Sequence, residues 1–134
     1  MAADLTLVSH VLDEVRSVAT AVNLSDDATI DLTLAAAEAL NNIIIHGYES
    51  RADEVVKISI SGLQTGVEIV LTDTGRVIPS AVLEASQAFS DPASMMDESG
   101  RGFAIIKMCV QNWSYSSVDG VNRLTLVRGD QGAA

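Results

Sequence analysis

Residues 38–48, Glu38-Ala39-Leu40-Asn41-Asn42-Ile43-Ile44-Ile45-His46-Gly47-Tyr48, decide how the rest of the chain is read. They close a run that starts near Asp27. In that run Leu32, Leu34, Ala35, Ala36, Ala37, Ala39, Leu40, Ile43, Ile44 and Ile45 leave almost no polar side, the pattern of a helix packed on several sides. Glu38, Asn42 and His46 interrupt it at steps of four. At about 100° per residue those steps place the three groups on one stripe, with Asn41 at its border. A carboxylate and a carboxamide on such a helix cost free energy unless something satisfies them. A neighbouring loop can do so, and so can a metal ion, a bound ligand or a partner hydroxyl.

The length of 134 residues predicts one domain, residues 1–134, and 48% apolar content is enough for a core. A net charge of −10, with only eight Lys and Arg and no basic stripe, argues against a nucleic-acid binder, whose affinity comes from neutralising phosphates. The lone cysteine, Cys109, lies in the apolar run 103–110 and reads as a buried structural thiol. With no second cysteine there is no internal disulfide, which suits a reducing cytoplasm. The opening Met1-Ala2-Ala3-Asp4-Leu5 lacks a basic n-region and an unbroken apolar h-region, so no signal peptide is expected. Nothing approaches the roughly 18 unbroken apolar residues of a membrane span, and no membrane association is expected.

In chain order, Leu5, Val8, Val11, Leu12, Val15, Val18, Ala19 and Val22 recur with helical period, predicting an amphipathic first helix. Ser25 or Asp26 is placed to cap the second, which Gly47 would end. Residues 55–61 alternate as a strand, 62–66 read as a hairpin turn, and 67–72 as its second strand. The hairpin runs into Asp73-Thr74-Gly75. An acid followed by glycine at a strand end puts a carboxylate at the sheet edge and lets backbone approach a ligand, though it is also ordinary turn chemistry. A short helix over 80–89 and a loop over 90–99 lead to Gly100-Arg101-Gly102-Phe103, read as a Gly-x-Gly opening a helix. Free N–H groups and the positive dipole end there suit phosphate oxygens; a plain glycine-rich entry into a core helix is the alternative. Two strands, 113–118 and 122–127, meet at Asp119-Gly120, a hairpin signal. This order predicts an α+β fold with helices on one face of a largely antiparallel sheet.

The Glu/Asn stripe, the Asp-x-Gly and the Gly-x-Gly, in this order, resemble the N box and the two glycine boxes of the GHKL ATPase superfamily. Within it, Glu-Ala-x-x-Asn-x-x-x-His-Gly-Tyr and the single-domain length look like the bacterial anti-sigma-factor serine kinases. The resemblance implies a two-layer α/β sandwich of the Bergerat type with a mixed, largely antiparallel sheet, and ATP and Mg²⁺ as cofactors. It implies Asn42 as the magnesium ligand and Glu38 as the base for a substrate serine. Asp73 matches the acceptor of the adenine amino group, and Gly75 stands beside it. Gly100 and Gly102 match the lid glycines, with Arg101 and Phe103 among the phosphate-binding residues. His46 fits either a place near the phosphates or a structural hydrogen bond, the second being favoured.

Four residues depart from the family pattern. Val77 replaces a second glycine in the first glycine box, and Glu98 and Ser99 stand where some relatives carry a lid arginine, for which Arg101 is the substitute. Gln111 replaces a common acidic residue. The implied function is an ATP-dependent serine/threonine kinase acting on a STAS-type antagonist and alternately holding a sigma factor, in the cytoplasm, with a possible homodimer. A nucleotide-holding switch without transferase activity is the alternative. A sensor histidine kinase fragment is disfavoured, because His10 lies between Ser9 and Val11 without the adjacent acid such motifs use.

Overall fold

In the computed structural model, residues 5–43, 56–75, 77–78, 83–84 and 98–130 are described, the side chains of 5–7 and 98–101 excepted. The elements are α1 (Leu5–Ala21), α2 (Asp26–Asn42), β1 (Val56–Leu63), β2 (Gly66–Asp73), α3 (Glu98–Cys109), β3 (Asn112–Val118) and β4 (Val121–Gly129). The strands form one sheet in the order β1-β2-β4-β3. Every described pair is antiparallel, so the expected mixed sheet shows no parallel pair among the described residues. No helix among them is long and apolar enough to cross a membrane.

Alternation along the strands sorts the two faces. Val67, Ile69 and Leu71 on β2 and Leu124 and Leu126 on β4 are buried, and they form one core with Val15, Leu32, Leu40, Phe103 and Ile106 from the three helices. α2 packs against both α1 and α3, while α1 lies over β1. Ser25 caps α2, its Oγ accepting from Ala28 N–H at 3.2 Å, and Asp26 and Asp27 set negative charge in the first turn, where the helix dipole favours it. α2 is less enclosed than its composition suggests, because Ile30 and Leu34 are 62% and 43% exposed, one turn apart on its outer side. Its expected end at Gly47, together with His46, lies outside the described residues. So do most of the expected helix over 80–89 and loop over 90–99.

The Asp119-Gly120 turn forms as the sequence indicates. Both residues take positive φ, 54° and 80°, the two-residue turn whose twist matches antiparallel strands. The turn sets β4 against β3, and the separate pairing of β2 with β4 places Asp73 directly opposite Asn122 at the end of the two central strands.

Candidate functional site

Two clusters carry the polar chemistry. The first is built by α2 and α3. Asn42 is 2% exposed; its Nδ2 donates to the Glu38 carbonyl one turn earlier at 3.1 Å, and its Oδ1 is buried with no hydrogen-bond partner among the described residues. An amide oxygen held this way is costly to leave unpaired, and it is a hard donor suited to a small divalent cation. Gly102 faces the same two residues: a Cβ there would stand 2.6 Å from Glu38 Oε2 and 3.6 Å from Asn42 Nδ2. The pair read from the α2 stripe and the second of the two α3 glycines are therefore side by side.

The glycines do not precede α3. The helix begins at Glu98, so Gly100 and Gly102 lie within its first turns. At 102 the absent side chain serves close approach to Glu38 rather than a flexible entry. The Phe103 side chain belongs to the core, fully buried with its ring edge-on to Trp113 at 5.1 Å, so only its backbone is left to meet a ligand. Lys107 closes over that pair and donates to the Leu83 carbonyl at 2.6 Å. The side chain of Arg101 is not among those described.

The second cluster sits at the end of the β2/β4 pair. Asp73 is buried, and its Oδ1 accepts from Gly75 N–H at 2.8 Å and from Asn122 Nδ2 at 2.9 Å. Asn122 Nδ2 also donates to the Gly75 carbonyl at 2.9 Å, and Asn122 Oδ1 accepts from Ser117 Oγ at 2.7 Å. Beside them Tyr115 Oη accepts from Ile78 N–H at 2.9 Å. Burial pushes the Tyr115 phenol above its usual 10.0, against the opposing pull of that N–H, and the nearby Asp73 charge adds to the rise. Asp73-Thr74-Gly75 is thus a turn whose backbone folds onto its own carboxylate, pinned from β4. Val77, in place of a glycine, is 54% exposed just beyond it.

Sequence reasoning missed Asn122, Ser117 and Tyr115. One signal was available: Asn122, Leu124 and Leu126 share the inward face of β4, and a carboxamide among inward leucines needs a partner. Gln111 is also explained, since its Oε1 accepts from Gly129 N–H at 2.7 Å, a bond for which an acid would serve equally. Among the described residues no three His, Cys, Asp or Glu side chains gather as a metal cage.

The sequence profile of the histidine kinase-like ATPase domain matches residues 1–128. The chain belongs to that family. It is similar, at 36% identity over 94 residues, to an anti-sigma F factor of Priestia megaterium, the match covering 69% of this chain and 63% of that protein. An anti-sigma F factor of Clostridium botulinum is 32% identical over 81 residues, covering 60% and 56%. The serine/threonine-protein kinase BtrW of Bordetella bronchiseptica is 31% identical over 99 residues, covering 71% and 66%. The matches to the two anti-sigma F factors thus span less than two thirds of their length. The matched range takes in the α2 stripe, the turn after β2 and the start of α3.

Proposed function

We propose that this chain binds ATP with Mg²⁺ and transfers the γ-phosphoryl group to a serine or threonine of a small STAS-type regulatory partner. In the same scheme it alternately holds a sigma factor, in the cytoplasm. The single observation that carries the reading is the buried Oδ1 of Asn42, without a hydrogen-bond partner among the described residues, on a side chain one helical turn from Glu38 and beside Gly102 of α3. The names of the related anti-sigma factors support a sigma factor as partner, and that of the related kinase supports transfer to serine or threonine.

Asn42 Oδ1 is the group that would hold the cation, and the donor fits: one hard amide oxygen, the remaining positions going to phosphate oxygens and water. When bound, the cation neutralises charge on the phosphates. Glu38 accepts the proton of the substrate hydroxyl as its oxygen attacks the γ-phosphorus; the bond from phosphorus to the bridging β,γ-oxygen breaks, and ADP departs. Asp73 receives the exocyclic amino group of adenine. Gly100 and Gly102 let α3 approach the phosphates closely, and Arg101 supplies positive charge where relatives use a lid arginine.

The test is label transfer from γ-labelled ATP to a purified STAS-domain partner. Wild type should transfer. Glu38→Ala should lose at least about 100-fold in transfer, as expected for a general base, while binding ATP within a few-fold of wild type. Undiminished transfer by Glu38→Ala removes the base assignment. ATP binding without any transfer by wild type leaves a nucleotide-holding switch in place of a kinase.

A further inference from the structure

Among the described residues, Asp73 sits in a polar network with Gly75, with Asn122 from β4 and, through it, with Ser117 from β3. Asn122 is 1% exposed, and its amide orientation is set by chemistry. The Gly75 carbonyl can only accept a hydrogen bond, so the nitrogen of Asn122 must face it, at 2.9 Å. That turns Asn122 Oδ1 toward Ser117, whose hydroxyl donates at 2.7 Å. The same nitrogen reaches Asp73 Oδ1 at 2.9 Å, and Gly75 N–H reaches that oxygen at 2.8 Å. Both donors fall on Oδ1. Oδ2 is left without a protein donor among the described residues, free to accept from an incoming N–H group.

We infer that Asn122, held by Ser117, is a positioning residue that sets base preference by locking Asp73 with Oδ2 presented to the ligand. The inference rests on the nucleotide reading above and extends it. A carboxylate rotated to show one lone-pair edge accepts an amino group, as adenine offers, and repels the carbonyl that guanine offers at the same place. Released from Asn122, Asp73 keeps only the bond from Gly75 and turns more freely, and the backbone turn at Gly75 loses its tie to β4. Preference for adenine should then weaken more than grip on the phosphates. A role confined to stability would lower the affinity of every nucleotide alike.

The experiment measures ATP and GTP dissociation constants by calorimetry for wild type, Asn122→Ala and Ser117→Ala, with thermal unfolding of each alongside. Wild type should favour ATP. Asn122→Ala should weaken ATP by roughly 10- to 100-fold, the worth of a hydrogen bond to a charged group, and bring the ATP-to-GTP ratio toward one. Ser117→Ala, at an exposed position that tolerates truncation, should move the ratio the same way by a few-fold and keeps the test open if Asn122→Ala does not fold. An unchanged ratio in Ser117→Ala and in any folded Asn122→Ala overturns this inference and leaves the nucleotide reading intact. Absence of ATP binding by wild type overturns both.

Discussion

A methyl group at position 102 would stand 2.6 Å from Glu38 Oε2, closer than such atoms approach, so α3 and the α2 carboxylate meet only because residue 102 is glycine. The obstacle is the far end of a flexible side chain, and Glu38 can swing aside. Gly102→Ala should therefore fold, with a stability change within about 1 kcal/mol, alanine's helix preference offsetting the displaced carboxylate. The same variant should lose phosphoryl transfer by about 10-fold or more, because a shift near 1 Å in a catalytic group is felt that strongly. Chemical denaturation and single-turnover label transfer read the two effects separately. A large loss of stability would mean that the helices, not the carboxylate, absorb the clash.

Asn42 has the opposite signature. Replacing it by leucine, of similar volume, removes a buried oxygen that has no hydrogen-bond partner among the described residues. Without ligand, Asn42→Leu should be as stable as wild type or up to about 1 kcal/mol more so, since an unsatisfied buried group is lost with it. The increase in ATP affinity or melting temperature that Mg²⁺ confers should disappear. Nucleotide titrations with and without Mg²⁺ provide the measurement, and an undiminished Mg²⁺ increment would exclude Asn42 as the ligand.

At the other end of α2, Asp130 Oδ1 accepts from Ser25 N–H at 2.7 Å, tying the residue after β4 to the helix cap. That backbone N–H, then the Ser25 side chain, holds the Asp130 carboxyl below its usual 3.8. A depressed folded value means that the stabilisation is complete above 3.8 and disappears as pH falls through the lower folded value. The gap in urea midpoint between wild type and Asp130→Ala should be constant near neutrality and close in acid below 3.8. A gap that persists to the lowest pH would assign the effect to something other than this carboxylate.

Arg128 is buried, with Nη2 3.0 Å from Asp31 Oδ2, Nη1 donating to the Cys109 carbonyl at 3.4 Å, and Nε without a hydrogen-bond partner among the described residues. Asp31 is 39% exposed, so water already serves it and the ion pair itself contributes little. The buried stem and guanidinium fill space between β4, the second turn of α2 and the end of α3. Arg128→Ala should cost about 2–3 kcal/mol through lost packing, and Arg128→Met clearly less. Equal losses in thermal unfolding would show that charge, not volume, is what the site needs.

What could be read from residues alone was local. A cap at Ser25 or Asp26, the helical repeat of α2, the alternation of β1 and β2 and the Asp119-Gly120 turn each rest on neighbours within one turn or one hairpin, where backbone geometry dictates spacing. The stripe of Glu38 and Asn42 was legible for the same reason. Asn122 was not, because its tie to Asp73 spans 49 positions and exists only through the register of β2 on β4. Gln111 was equally opaque until the end of β4 came beside it.

By itself, then, the sequence determined which groups are polar on apolar elements and on which helix or strand each one lies, since period and turn chemistry act at short range. Only the tertiary structure decided that the glycine of α3 touches the carboxylate of α2 and that an asparagine from the last strand locks the aspartate of the second. Such contacts depend on how packed elements are aligned along one another, and a register is set by the whole core at once rather than by any stretch of it.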